Sequence, residues 1–99
     1  MQIFWLKKAL LNLDEIAEYI AKDNPYAAIK VVEAIESQVN LLASQPAIGR
    51  TGRVLGTREL VITNMPYLVP YRIKNNTVEI LRVFHTSRNP ARKLINIEN

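Results

Sequence analysis

Residues 67–84, YLVPYRIKNNTVEILRVF, decide how this chain folds. Tyr67 to Ile73 alternates in the two-residue period of a half-buried strand, and Thr77 to Phe84 does so again. Between them Asn75-Asn76 predicts a tight turn, because asparagine tolerates positive φ better than most residues. The two runs therefore form neighbouring antiparallel strands. Pro70 has no N–H to give a ladder, so its nitrogen is expected to face away from a paired neighbour. In the second run Arg82 falls in register with Val78, Ile80 and Phe84, an arginine on an apolar strand face. It must snorkel, pair with Glu59 or Glu79, or reach a binding surface. Core packing is the expected role of Tyr67, Tyr71 and Phe84.

Upstream, Arg58 to Thr63 alternates with Leu60 and Ile62 on one face, and Asn64-Met65-Pro66 turns the chain into Tyr67. Pro46, Gly49, Gly52 and Gly56, interleaved with Arg50 and Arg53, predict a basic, flexible connector before it. Two helices precede the connector. Leu6, Ala9, Leu10, Leu13, Ile16, Ala17 and Ile20 recur at helical spacing, ending near Ala21 or Lys22. Asp23-Asn24-Pro25 restarts the helix, with Asn24 as N-cap and proline at the first helical position. Ala28, Val32, Ile35, Val39 and Leu42 then predict a second helix from Pro25 to about Ala43, packed antiparallel on the first. Gln2 to Trp5 is a short strand with Phe4 and Trp5 on opposite faces, one of them the more exposed. The expected fold class is α+β: a short strand and a helical hairpin against an antiparallel meander. Residues 91–97 fit either a short helix or a last strand.

Ninety-nine residues, 48% of them hydrophobic, suit one domain with one modest core, spanning 1–99. The absence of cysteine removes disulfides, thiolate metal sites and cysteine nucleophiles, and suits a reducing cytoplasm. MQIFWLKKALLNLDE has lysines inside its apolar stretch and acids directly after it, unlike a signal peptide. No apolar run approaches the roughly 20 residues of a membrane span. Charge is divided along the chain. Residues 1–48 carry four basic and six acidic groups, residues 49–99 nine basic and three acidic. The basic second half favours an acidic partner, nucleic acid or protein.

Motifs for most chemistries are missing. There is no phosphate loop, no dinucleotide-binding turn and no nucleophile elbow. Glu15 with Glu18, and Glu33 with Glu36, read as solvated helix faces. One histidine without cysteine leaves no ordinary transition-metal ligand set, so neither metal nor cofactor is expected. His85 has the ordinary pKa range of a general acid or base, yet a lone histidine at a strand end is more often structural.

The run from Gly52 to Leu94, GRVLGTRELVITNMPYLVPYRIKNNTVEILRVFHTSRNPARKL, resembles the C-terminal half of RelE/ParE toxins. The features that carry the likeness are a Gly-Arg connector, a strand of the Arg-Glu-Leu type, a strand ending Pro-Tyr-Arg-Ile, and Val-Glu-Ile-Leu-Arg-Val-Phe-His. The helical hairpin also fits, and Val78 to His85 followed by Thr86-Ser87-Arg88-Asn89 resembles the ParE branch in particular. The resemblance implies a toxin held inactive by a cognate antitoxin that is acidic and partly disordered, with operator DNA reached only through that antitoxin.

Two mechanisms share this fold, and the site must separate them. RelE-type members cut mRNA on the ribosome, which needs a proton acceptor, a proton donor and positive charge at the phosphate. ParE-type members inhibit DNA gyrase. Here the strand after the connector carries a single cation, Arg58, and Leu68 stands where a RelE-like pattern places arginine. Were the chain a nuclease, His85, Arg88 and Arg58 would be its catalysts. The expectation is instead a gyrase-binding toxin without catalytic residues, its target-binding candidates being Arg58, Arg72, Arg82, His85, Arg88 and Arg92. Arg50, Arg53 and Lys93 add to the same charge.

Overall fold

The computed structural model describes residues 1–87. Strand β1 (Gln2–Trp5) leads into helix α1 (Lys7–Ala21) and helix α2 (Pro25–Asn40), which ends in a 3₁₀ turn over Leu41–Ala43. The restart between the helices is the one the sequence calls for: Asn24 is extended and its Oδ1 accepts the Ala27 N–H at 3.1 Å, with Pro25 at the first helical position. Strands β2 (Arg50–Thr51), β3 (Arg58–Val61), β4 (Tyr67–Lys74), β5 (Thr77–Ile80) and β6 (Phe84–His85) follow. Asn64, Asn75 and Asn76 all have positive φ, so each turn places asparagine where a β-branched residue would be strained.

The sheet runs β1-β5-β4-β3-β2, with β6 also paired to β4. All pairs are antiparallel except β1 with β5, which is parallel, Gln2 opposite Thr77 and Trp5 opposite Ile80. The meander is thus extended into a mixed sheet by the N-terminal strand. One face meets the helices. Ile3, Trp5, Leu60, Ile62, Tyr67, Val69, Tyr71, Val78 and Ile80 pack there against Ala9, Leu13, Ile16, Val32, Ile35, Val39 and Leu42. Trp5 packs on this core while Phe4, on the other face, is 57% exposed. The three aromatic residues expected in the core, Tyr67, Tyr71 and Phe84, are all buried.

Two expectations change. The strand expected over Thr77 to Phe84 is broken at 81–83. Tyr71 faces Ile80, but Leu68 faces Phe84, so three steps along β4 are matched by four along its neighbour. This is a β-bulge, and Pro70 explains its place. The Pro70 carbonyl accepts from the Leu81 N–H at 2.9 Å, so its nitrogen, with no N–H to give, lies on that same side, where residues 81–83 form no ladder with β4 and Pro70 has its register partner only in β3, as the sequence leads one to expect. The extra residue reverses the alternation. Phe84 leaves the face of Val78 and Ile80 and joins Leu81, Leu6 and Val54 in a second small cluster, while Val83 enters the main core.

The other change concerns the connector, which is held down along its length. Tyr71 Oη accepts the Gly49 N–H at 2.9 Å and donates to the Pro46 carbonyl at 2.7 Å. A Cβ on Gly49 would lie 2.5 Å from that oxygen, so glycine serves close approach here rather than flexibility. Arg58 Nη1 donates to the Gly49 and Ala47 carbonyls at 2.9 and 3.4 Å. Glu59, 1% exposed, receives Arg50 through Nε and Nη2 at 3.2 and 3.1 Å and the Arg53 N–H at 3.2 Å.

Candidate functional site

The bulge determines which side chains meet the helices. With the alternation reversed, His85 lies opposite Tyr67 on the helix-facing side, the two rings edge to face with centroids 5.5 Å apart. Its Nδ1 accepts the Ser87 N–H at 3.2 Å and lies 2.7 Å from Ser87 Oγ, which leaves the proton of a neutral ring on Nε2. From α1, Asn12 reaches across and its Oδ1 accepts the Val83 N–H at 3.1 Å, satisfying a backbone donor freed by the bulge. Between α1 and β6 lies an open groove of about 600 Å³. Ile16, Tyr19, Ile20, Tyr67, Val83 and Phe84 line it, with Glu15, Glu18, Lys22, His85 and Ser87 also contributing. Apolar walls with charges of both signs suit an amphipathic segment of a partner better than a small substrate.

The candidate cations are not gathered there. Arg58 spends its guanidinium on the Gly49 and Ala47 carbonyls. Arg58 pairs with Tyr71 and His85 with Tyr67, so they are separated by about 13 Å along β4, on opposite sides of that strand. Arg72 lies on the helix-free face and contacts Glu79 Oε1 through Nε at 2.6 Å, the ion pair of a cross-strand neighbour. Arg82 sits inside the bulge, 6% exposed, with Nη1 donating to the Leu81 carbonyl at 2.6 Å. Burial lowers its pKa from the ordinary arginine value. Glu79 is engaged by Arg72 and Glu59 by Arg50, the two acids considered as partners for Arg82. Arg88 and Arg92 lie outside the described residues. Among the described residues no group of three or more histidines and carboxylates is placed to hold a metal ion, and no helix is long and apolar enough to cross a membrane.

An apolar groove beside the helices is what the sequence leads one to expect for an antitoxin segment, but the residues of its β6 wall were not foreseen, because that wall depends on the reversed alternation. Pro70 was the available signal: a proline whose carbonyl faces the next strand interrupts that ladder, and the residues after the break change sides.

Comparison with known proteins agrees with this architecture. The chain is 52% identical over 84 residues to a candidate toxin of Sinorhizobium fredii, Y4kP, covering 85% of this chain and 86% of that protein. It is 32% identical over 87 residues to toxin RelE2 of Caulobacter vibrioides, covering 88% and 97%. Among solved structures, the chromosomal ParDE toxin–antitoxin system of P. aeruginosa superimposes with a TM-score of 0.78 at 33% identity, over 86% of this chain and 95% of that one. The RelBE2 toxin–antitoxin complex of Mycobacterium tuberculosis gives 0.53 at 27% identity, over 85% and 95%. The family model described as the ParE toxin of the type II toxin–antitoxin system parDE matches residues 3–90, and the chain therefore belongs to the ParE toxin family within the RelE/ParE superfamily.

Proposed function

We propose that this toxin arrests growth by binding and poisoning DNA gyrase in the cytoplasm, and that a cognate antitoxin neutralises it by laying an amphipathic segment in the groove between α1 and β6. The observation that carries the gyrase reading is the dispersal of the described catalytic candidates. Transesterification needs a base, an acid and a cation within reach of one phosphate. Here the Arg58 guanidinium is bound to loop carbonyls, and His85 stands about 13 Å away along β4 between Tyr67 and Ser87. Such an arrangement favours recognition over bond breaking, and the match of residues 3–90 to the ParE family supports it.

A supercoiling assay with purified gyrase tests the reading. Loss of supercoiling with accumulation of cleaved DNA, relieved by antitoxin, is the expected result. The likeness to a protein named toxin RelE2 favours a second reading, ribosome-dependent mRNA cleavage with His85, Arg88 and Arg58 as catalysts. Primer extension on cellular mRNA after expression separates the two, because only the nuclease leaves cuts positioned by codons. Full gyrase activity in the presence of folded toxin, together with such cuts, sinks the gyrase reading.

A further inference from the structure

The tip of the β2–β3 hairpin presents a leucine to solvent on a rigid support. Leu55 is 100% exposed. The Thr57 N–H donates to the Val54 carbonyl at 3.1 Å and Gly56 has φ +82, so Val54 to Thr57 is a turn with glycine at the position that demands positive φ. Thr57 Oγ1 donates to the same carbonyl at 2.6 Å, and the Gly52 N–H closes onto the Thr57 carbonyl at 2.8 Å. Below the tip, Val54 packs on Leu81 and Phe84, and Glu59 holds the Arg53 N–H. A single exposed leucine ordinarily needs no explanation. This one occupies a position where no neighbour touches the side chain, so the fold makes no demand for leucine. Yet the backbone beneath it is fastened on every side. Two cations precede it in the same hairpin: Arg53, exposed, and Arg50, whose side chain stays 55% exposed while paired to Glu59.

A preordered turn carrying an apolar anchor on a hairpin that also bears cations has the features of a binding hot spot, since the ordering cost is met before contact. We infer that the Arg50–Thr57 hairpin is the element that engages the toxin's protein target, with Leu55 entering an apolar pocket whose rim is acidic and meets Arg53 and Arg50. The inference rests on the gyrase reading and names the surface used. A nucleic-acid target is the weaker fit, because phosphates would use the arginines and leave Leu55 without a role.

The test compares wild type with Leu55→Ala, Leu55→Asp and Arg53→Ala in the supercoiling assay, with melting curves to confirm folding and calorimetry to measure antitoxin affinity. Burial of one leucine side chain predicts that Leu55→Ala weakens inhibition about tenfold or more. Leu55→Asp, which adds repulsion from an acidic rim, should weaken it further, with antitoxin affinity and melting temperature unchanged. Inhibition by wild type and Leu55→Asp at the same concentration overturns the inference and leaves the gyrase reading standing. Loss in Arg53→Ala with none in Leu55→Ala points to phosphate contact and overturns it too, as does equal weakening of antitoxin binding. Failure of folded wild-type protein to inhibit gyrase overturns both.

Discussion

Tyr71→Phe removes one oxygen from a fully buried ring and leaves the packing of that ring in place. The oxygen accepts from Gly49 N at 2.9 Å and donates to the Pro46 carbonyl at 2.7 Å. Each hydrogen bond is worth about 1 kcal/mol net, and a buried donor left without an acceptor costs roughly 1–3 kcal/mol. Gly49 is buried against the ring, so water does not readily replace the phenol. The expected loss is about 2–3 kcal/mol, which for a chain of this size lowers Tm by roughly 10–20 °C. Urea titration measures the free energy, and hydrogen exchange locates it: the Gly49 amide should exchange much faster in the variant. A loss below about 0.5 kcal/mol with unchanged Gly49 protection would refute the reasoning. The pH dependence supplies a second readout. Burial raises the Tyr71 pKa above its ordinary value of 10.0, opposed by the Gly49 hydrogen bond and the Arg58 charge. Folding therefore favours the protonated phenol. Its contribution is complete below pH 10.0 and is lost as pH rises from there through the folded-state pKa, so wild type should show an alkaline decline that Tyr71→Phe lacks.

Other substitutions probe the remaining fastenings. Arg50→Ala should cost less than about 1 kcal/mol in urea titration, because its guanidinium is half exposed and screened; Glu59→Ala should cost more, since it also leaves the Arg53 N–H and a buried space unfilled. Asn12→Ala strands the Val83 N–H and should cost about 1–3 kcal/mol, with fast exchange at Val83 as the specific sign. Asn24→Ala removes the N-cap of α2 and should cost about 1 kcal/mol by the same titration.

Local chemistry made much of this fold legible. The helical stripes, the Asn24 cap and the asparagine turns act over a few residues, and each appears where the sequence places it. The α+β class and the ParE likeness followed from their order. The bulge was hidden because it depends on which side of β4 the Pro70 carbonyl faces, a property of strand pairing rather than of residues 77–84 themselves. That one residue of register moved Phe84 and His85 across the sheet and built the groove. The connector was misread for a related reason: glycine signals freedom locally, but Gly49 is there because the Tyr71 ring approaches it from 22 positions away. Of the charged candidates, sequence gave the identities but not the engagements. Arg72 with Glu79 and Arg58 with the loop carbonyls are visible only once the strands are aligned.

The parallel pairing of β1 with β5 has a consequence for biosynthesis. Leaving the ribosome ahead of every other strand, Gln2–Trp5 must wait for Thr77–Ile80 before it can close a ladder. Such a long closure is entropically costly and slows assembly relative to the local hairpin of α1 and α2. The nascent chain should therefore hold a formed helical pair for some time while the sheet, the groove and the hairpin tip stay unassembled. During that interval the surface proposed to meet the target is not yet built, and a partner that recognises the early helices would reach the chain first.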